Sequence, residues 1–86
     1  MGEEKKVTLV GVIDDHIDTV TSISNYLEGV GFRTFHAYDG NEAIEKCKEQ
    51  KPELLVLDIN MPGLNGIEVA RALPKQKILF MTAFDV

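Results

Sequence analysis

Tryptophan is absent from this 86-residue sequence, cysteine occurs once, proline three times, and nine Lys plus Arg are outnumbered by fourteen Asp plus Glu. Each scarcity excludes something. Cys47 alone can build neither an internal disulfide framework nor a Cys-based zinc site, which fits a reducing compartment. No apolar run approaches the ~18 residues that span a bilayer, and the opening MGEEKK lacks the apolar segment of a secretory signal. Myristoylation requires Ser or Thr where Lys6 stands. A formal net charge of -5 leaves no clustered Lys and Arg for nucleic-acid phosphates. The expectation is a cytoplasmic acidic protein with neither a membrane nor a nucleic acid as partner. Its length allows one domain, residues 1–86, with residues 1–6 as a polar N-terminal tail. A domain of this size buries only roughly 60–65% of the surface its unfolded chain exposes, so its stability margin is expected to be thin.

What is present is a regular alternation of apolar runs with amphipathic stretches, the mark of an α/β layer structure. Val7 to Ile13 (VTLVGVI) reads as a buried strand ending on two carboxylates. From Ile17, apolar Val20, Ile23 and Leu27 recur at helical spacing, and Gly29 and Gly31 punctuate the end. Phe32 to Ala37 forms a second strand, and Asp39-Gly40-Asn41 combines a turn with a helix cap. Ala43, Ile44 and Cys47 give the next helix its apolar stripe, closed at Lys51-Pro52. Leu54 to Leu57 (LLVL) is the most apolar stretch, expected to be buried on both faces, and Asp58 follows it. A loop through Met61-Pro62-Gly63 and Asn65-Gly66 leads to a short helix carrying Ile67, Ala70 and Leu73, stopped at Pro74. Ile78 to Met81 (ILFM) is a fourth strand. Right-handed crossovers make βαβαβαβ a parallel sheet with all strand C-termini on one edge.

Ligands of open parallel sheets bind outside that edge, where this sequence places its polar residues. The first strand delivers Asp14 and Asp15, the third Asp58 and the fourth Thr82. If the first and third strands are neighbours, about 4.8 Å apart, three carboxylates converge. Such charges raise one another's pKa unless a cation neutralises them. An oxygen-lined site of this kind suits Mg²⁺, with the Asn60 backbone carbonyl available as a further ligand. The bland alternative, that one Asp caps the following helix, can coexist with this. A carboxylate beside the ion can be a ligand only, or can attack phosphorus to form an acyl phosphate. Asp58 is the best-placed nucleophile, Thr82 offers a hydroxyl to a phosphoryl oxygen, and the small Ala83 lets its backbone approach.

Val12-Ile13-Asp14-Asp15, LLVLD with INMPGLNG (Leu54 to Gly66), Gly31-Phe32 with Ala37-Tyr38-Asp39-Gly40, and Met81-Thr82-Ala83 occur in order over nearly the whole chain. Together they resemble the receiver domain of two-component response regulators. The resemblance implies a doubly wound, flavodoxin-like (βα)5 fold, here incomplete, with four strands in the order 2-1-3-4 and three helices. It implies that Asp58 is the phosphoacceptor, serving a sensor histidine kinase or phosphotransfer protein. Asp15, Asp58 and the Asn60 carbonyl would ligate Mg²⁺ directly, Asp14 would act through water, and Thr82 would bind the phosphoryl group. The module would signal rather than catalyse, beyond self-phosphorylation and autodephosphorylation. Gly63 and Gly66 would serve backbone needs of the loop.

Relative to the family, the sequence ends after the fourth strand, without the fifth-strand Lys and aromatic residue. A chain truncated there is expected to phosphorylate inefficiently and to expose its fourth strand, which predicts a homodimer through that strand. The alternative function is a receiver-derived oligomerisation module with vestigial phosphorylation. A phosphatase or phosphotransferase with an Asp nucleophile is disfavoured, because Asn60 stands where such enzymes place an acid. Gly29-Val30-Gly31 leads into a strand and lacks the third glycine of a dinucleotide fingerprint. His16 reads as a solvated helix-start residue, His36 as an exposed strand residue and Cys47 as a buried thiol. Lys46, Lys48 and Lys51 read as a solvated helix face, with a Glu42–Lys46 pair. Tyr38 and Phe84 are left open as partner contacts.

Overall fold

The computed structural model describes residues 7–81. Seven elements follow one another: β1 (Leu9–Ile13), α1 (Ile17–Gly29), β2 (Arg33–Ala37), α2 (Gly40–Gln50), β3 (Leu54–Asp58), α3 (Gly66–Ala72) and β4 (Ile78–Met81). Local chemistry accounts for most boundaries. Asp39 caps α2 by accepting the Glu42 N–H at 2.8 Å, while the Glu42 carboxylate reaches back to the Tyr38 N–H. Asn65 and Glu68 close a reciprocal capping box over the first turn of α3, at 3.0 Å in each direction. That Asn-x-x-Glu signature was readable in the sequence and stabilises a helix of only seven residues. α2 stops at Lys51, whose left-handed backbone (φ 50°) turns the chain before Pro52.

The four strands are all parallel, in the order β2-β1-β3-β4. The strand order implied by the family resemblance is the order observed. β1 lies between β2 and β3, with Ile13 level with Ala37 on one side and Leu57 on the other. β4 pairs with β3 so that Met81 is level with Asp58. The first strand is shorter than expected: Val7 is 48% exposed, and the ladder begins at Leu9. The second begins at Arg33, one residue later than expected, and Phe32 is exposed.

Both faces of the sheet carry a core. One joins Ile13, Phe35, Leu55 and Leu57 to Ala43 and Cys47 of α2 and Val69 of α3. The other joins Val10, Val12 and Val56 to Val20 of α1, with Ile23 and Leu27 packed at its margin. Two helix readings are corrected. Ile17 is 62% exposed, because it opens α1 beyond the end of the sheet rather than over it. In α3 the buried stripe is Gly66, Val69 and the half-buried Leu73, so the 3.6-residue period holds but Ile67 points outward. Lys46 is not purely solvated: its ammonium donates to the His36 carbonyl at 2.7 Å and pairs with Glu42 at 3.9 Å. Cys47 is buried, as expected, and burial pushes its thiol up to about 11. His36 is exposed, with its ring 5.2 Å from that of Tyr38.

β4 differs from the other strands. Leu79 is 58% and Phe80 40% exposed, and among the described residues no strand pairs with its outer edge. No helix among the described residues is long and apolar enough to cross a membrane.

Candidate functional site

The carboxyl ends of β1 and β3 lie side by side, so Asp14 and Asp15 emerge next to Asp58. Ligand atoms of Asp14, Asp15, Asp58 and His16 all lie within 4.8 Å of one another. Asp14 and Asp58 are each only 6% exposed, held at that depth by the Val12-Ile13 and Val56-Leu57 core residues that precede them. Asp14 is anchored through its own N–H to the Ala37 carbonyl of β2, at 3.3 Å. One Asp58 carboxylate oxygen accepts the Asn60 N–H at 3.1 Å. One Asp15 oxygen, Oδ1, is buried without a hydrogen-bond partner.

The electrostatic cost of this arrangement falls on Asp58. Burial raises its pKa above the ordinary carboxylate value, the Asp14 and Asp15 charges push it further up, and the Asn60 amide pulls it partly back. His16 is shifted upward too, first through its hydrogen bond to Asp14 and then through the negative charges of Asp15 and Asp14. Its Nδ1 lies 3.1 Å from Asp14 Oδ1 and 3.4 Å from Asp15 Oδ1.

The loop leaving β3 folds back onto it. Gly66 donates its N–H to the Ile59 carbonyl at 3.0 Å, and a Cβ there would collide with the Asp58 carbonyl and stand 2.8 Å from the Ile59 Cα. Only glycine lets α3 begin so close to the strand end that carries Asp58. Gly63, within the same loop, has a φ of +75°. Both loop glycines therefore meet a backbone requirement.

Of the site residues read from the sequence, Asp14, Asp15 and Asp58 are brought together, and Asn60 adjoins them through its backbone N–H. Thr82 and Ala83, with Phe84 and the 1–6 tail, lie outside the described residues. His16 is exposed, as expected of a helix start, yet its ring turns back onto both carboxylates, which the sequence reading missed. Its position two residues after Asp14 was the available signal, since the Asp14 side chain also accepts the His16 N–H at 2.9 Å.

The donor set fits a hard divalent cation. Three converging carboxylates, one with an orphaned buried oxygen, leave acceptor capacity and negative charge that no lysine or arginine among the described residues neutralises through an ion pair.

Comparison with known proteins places these features in context. The family described as response regulator receiver domain matches residues 10–86. The alkaline phosphatase synthesis transcriptional regulatory protein PhoP of Bacillus subtilis is 44% identical over 69 residues, covering 80% of this chain and 29% of that protein. The transcriptional regulatory protein PrrA of Mycobacterium tuberculosis is 44% identical over 62 residues, covering 72% of this chain and 27% of that protein. This chain thus spans less than a third of either relative. Among solved structures, the response regulator domain of Thermotoga maritima CheB superposes with a TM-score of 0.84 at 30% identity, covering 90% of this chain and 61% of that one. The N-terminal domain of a receiver protein from Methanoculleus marisnigri gives 0.86 at 28% identity, covering 94% and 71%.

Proposed function

The chain belongs to the response regulator receiver domain family, and from that premise we propose that Asp58 is its phosphoacceptor in two-component signal transduction. Receiver domains are signalling modules that interact with histidine kinases or phosphotransfer proteins, and they generally bind Mg²⁺ at an acidic pocket. The observation that carries the reading is the Asp58 carboxylate at the end of β3, one oxygen on the Asn60 N–H and the Asp14 and Asp15 carboxylates beside it.

In the proposed reaction an Asp58 oxygen attacks the phosphorus of a phosphohistidine. An O–P bond forms as the P–N bond breaks, and the departing imidazole nitrogen keeps the electron pair and takes up a proton. Asp14, Asp15, Asp58 and the Asn60 backbone carbonyl would hold Mg²⁺, which supplies positive charge against the carboxylates and the phosphoryl oxygens. The Asn60 N–H orients the Asp58 carboxylate. Burial of Asp58 keeps bulk water from its flank and favours group transfer over hydrolysis. Thr82 would donate its hydroxyl to a phosphoryl oxygen, with the small Ala83 allowing its backbone to approach. A cytoplasmic location accords with such a kinase partner.

Incubation with acetyl phosphate and Mg²⁺, followed by mass spectrometry, tests this. One added phosphate per chain, absent from Asp58→Asn, is expected. No adduct, or an adduct that survives the substitution, would overturn the assignment, and continuous turnover would point to a phosphatase.

The exposed Leu79 and Phe80 on β4 favour a second reading, a homodimer formed through that strand. Sedimentation at rising concentration is then expected to show a dimer that Leu79→Lys dissociates. A monomer throughout the range would sink it.

A further inference from the structure

His16 occupies the N-cap of α1, where Ser, Thr, Asp or Asn would satisfy a free helix N–H, yet its side chain makes no capping hydrogen bond. An N-cap without such a bond typically forgoes about 1 kcal/mol of helix stability. The imidazole is directed at the carboxylates instead. Its Nδ1 stands 3.1 Å from Asp14 Oδ1 and 3.4 Å from Asp15 Oδ1, and one of its ring nitrogens lies within 4.8 Å of an Asp58 oxygen. The shorter contact is a hydrogen bond in the metal-free chain, and both separations also match neighbouring donors around one small cation, since bonds of about 2.0–2.2 Å place adjacent N and O ligands roughly 3.0–3.4 Å apart. The buried Asp15 Oδ1 is at the same time left without a hydrogen bond. An imidazole nitrogen among carboxylate oxygens changes the character of the site. Mg²⁺ prefers oxygen alone, whereas Co²⁺ and Zn²⁺ accept mixed nitrogen and oxygen donors.

We propose that His16 is a specificity-determining residue of this metal site, supplying Nδ1 as a ligand to borderline divalent cations and thereby favouring them over Mg²⁺. The inference rests on the acidic pocket being a cation site, as in the reading above, and adds a donor from this chain's own sequence. Carboxylate sites bind Co²⁺ more tightly than Mg²⁺ in any case, so absolute affinity decides nothing. The difference made by His16 does.

The test is calorimetric titration of the full chain and of His16→Ala with CoCl₂ and with MgCl₂, together with the visible absorption of the Co²⁺ complex. Loss of even an outer-shell partner typically weakens metal binding ~10–100-fold. At least a tenfold loss of Co²⁺ affinity is therefore expected in His16→Ala, with a clearly smaller loss of Mg²⁺ affinity and the Co²⁺ absorption bands shifted. His16→Gln, an uncharged side chain that keeps some polar character, is expected to behave like His16→Ala. Equal losses for both ions, or unchanged Co²⁺ affinity and spectrum, would overturn the role of His16 while leaving the Mg²⁺ pocket standing. If neither ion binds the unsubstituted chain, the pocket itself is refuted, and His16 with it.

Discussion

On the faces of the sheet, Val12, Ile13, Leu55 and Leu57 are sealed from water and bring no polar side chain with them. One or two residues further along the same two strands, Asp14, Asp15 and Asp58 crowd their carboxylates within 4.8 Å and leave one buried oxygen without a hydrogen bond. The faces gain stability from the apolar atoms they bury, with Ser24 Oγ of α1 the polar exception left without a hydrogen bond among the described residues. At the carboxyl edge, by contrast, burial lifts the Asp58 pKa and the neighbouring charges lift it further. The contrast shows that the core serves the edge: the same strands that fill the interior hold three like charges where free side chains would drift apart.

Truncating the face should produce the largest effect. Leu57→Ala removes a fully buried side chain next to Asp58 and is expected to cost ~2–5 kcal/mol, measured by urea unfolding. A cost below 1 kcal/mol would mean that the interior is loosely packed and cannot position the edge.

Cys47 probes the same face through pH. Burial raises its thiol from 9.0 to about 11, so the folded chain retains a proton that the unfolded chain releases between those values. The associated stability is complete below pH 9 and is lost as pH rises toward 11, by at most about 3 kcal/mol. Cys47→Ala should flatten that alkaline decline, as followed by thermal melts at stepped pH. An unchanged decline would assign it to other groups.

At the edge the sign should reverse. Asp58→Asn removes one of three crowded charges and is expected to raise metal-free stability by ~1 kcal/mol. The same substitution should shrink the stabilisation that Mg²⁺ confers on the unsubstituted chain, which would be about 2.7 kcal/mol at a hundredfold excess over Kd. Differential scanning calorimetry with and without the ion reads both. Destabilisation by Asp58→Asn in the absence of metal would erase the contrast between face and edge.

The smallest effect is expected at β4 at dilutions where the chain is monomeric, where Leu79→Thr exchanges an exposed side chain for another strand former and should change stability by less than about 0.5 kcal/mol. A larger loss that grows with protein concentration would show that a second copy covers the strand.

Much of the fold was legible because its signals are local. LLVL followed by Asp, Gly and Pro punctuation, and Asp39 before an amphipathic stretch each depend on neighbours in the chain, and each element formed where expected. The limits are equally specific. Ile17 and Ile67 belong to apolar helical patterns but face outward, because which residues a helix buries depends on how it sits over the sheet rather than on its own period. Val7 fits the first strand by composition, yet the parallel ladder begins only at Leu9. The Asp14-Asp15 pair and Asp58 could be named as candidates, but their convergence needed β1 and β3 to be neighbours.

The sequence by itself determined the alternation of strands and helices and the placement of carboxylates at strand ends, since both follow from side-chain period and chain direction. Tertiary structure alone decided that Asp58 is both buried and crowded, that a side chain at Gly66 would strike the Asp58 carbonyl, and that the exposed His16 turns its ring onto Asp15 as well as Asp14. Those outcomes depend on distances between neighbouring strands or on the angle at which a helix leaves a strand, which local pattern signals only in part, as in the two-residue spacing of Asp14 and His16.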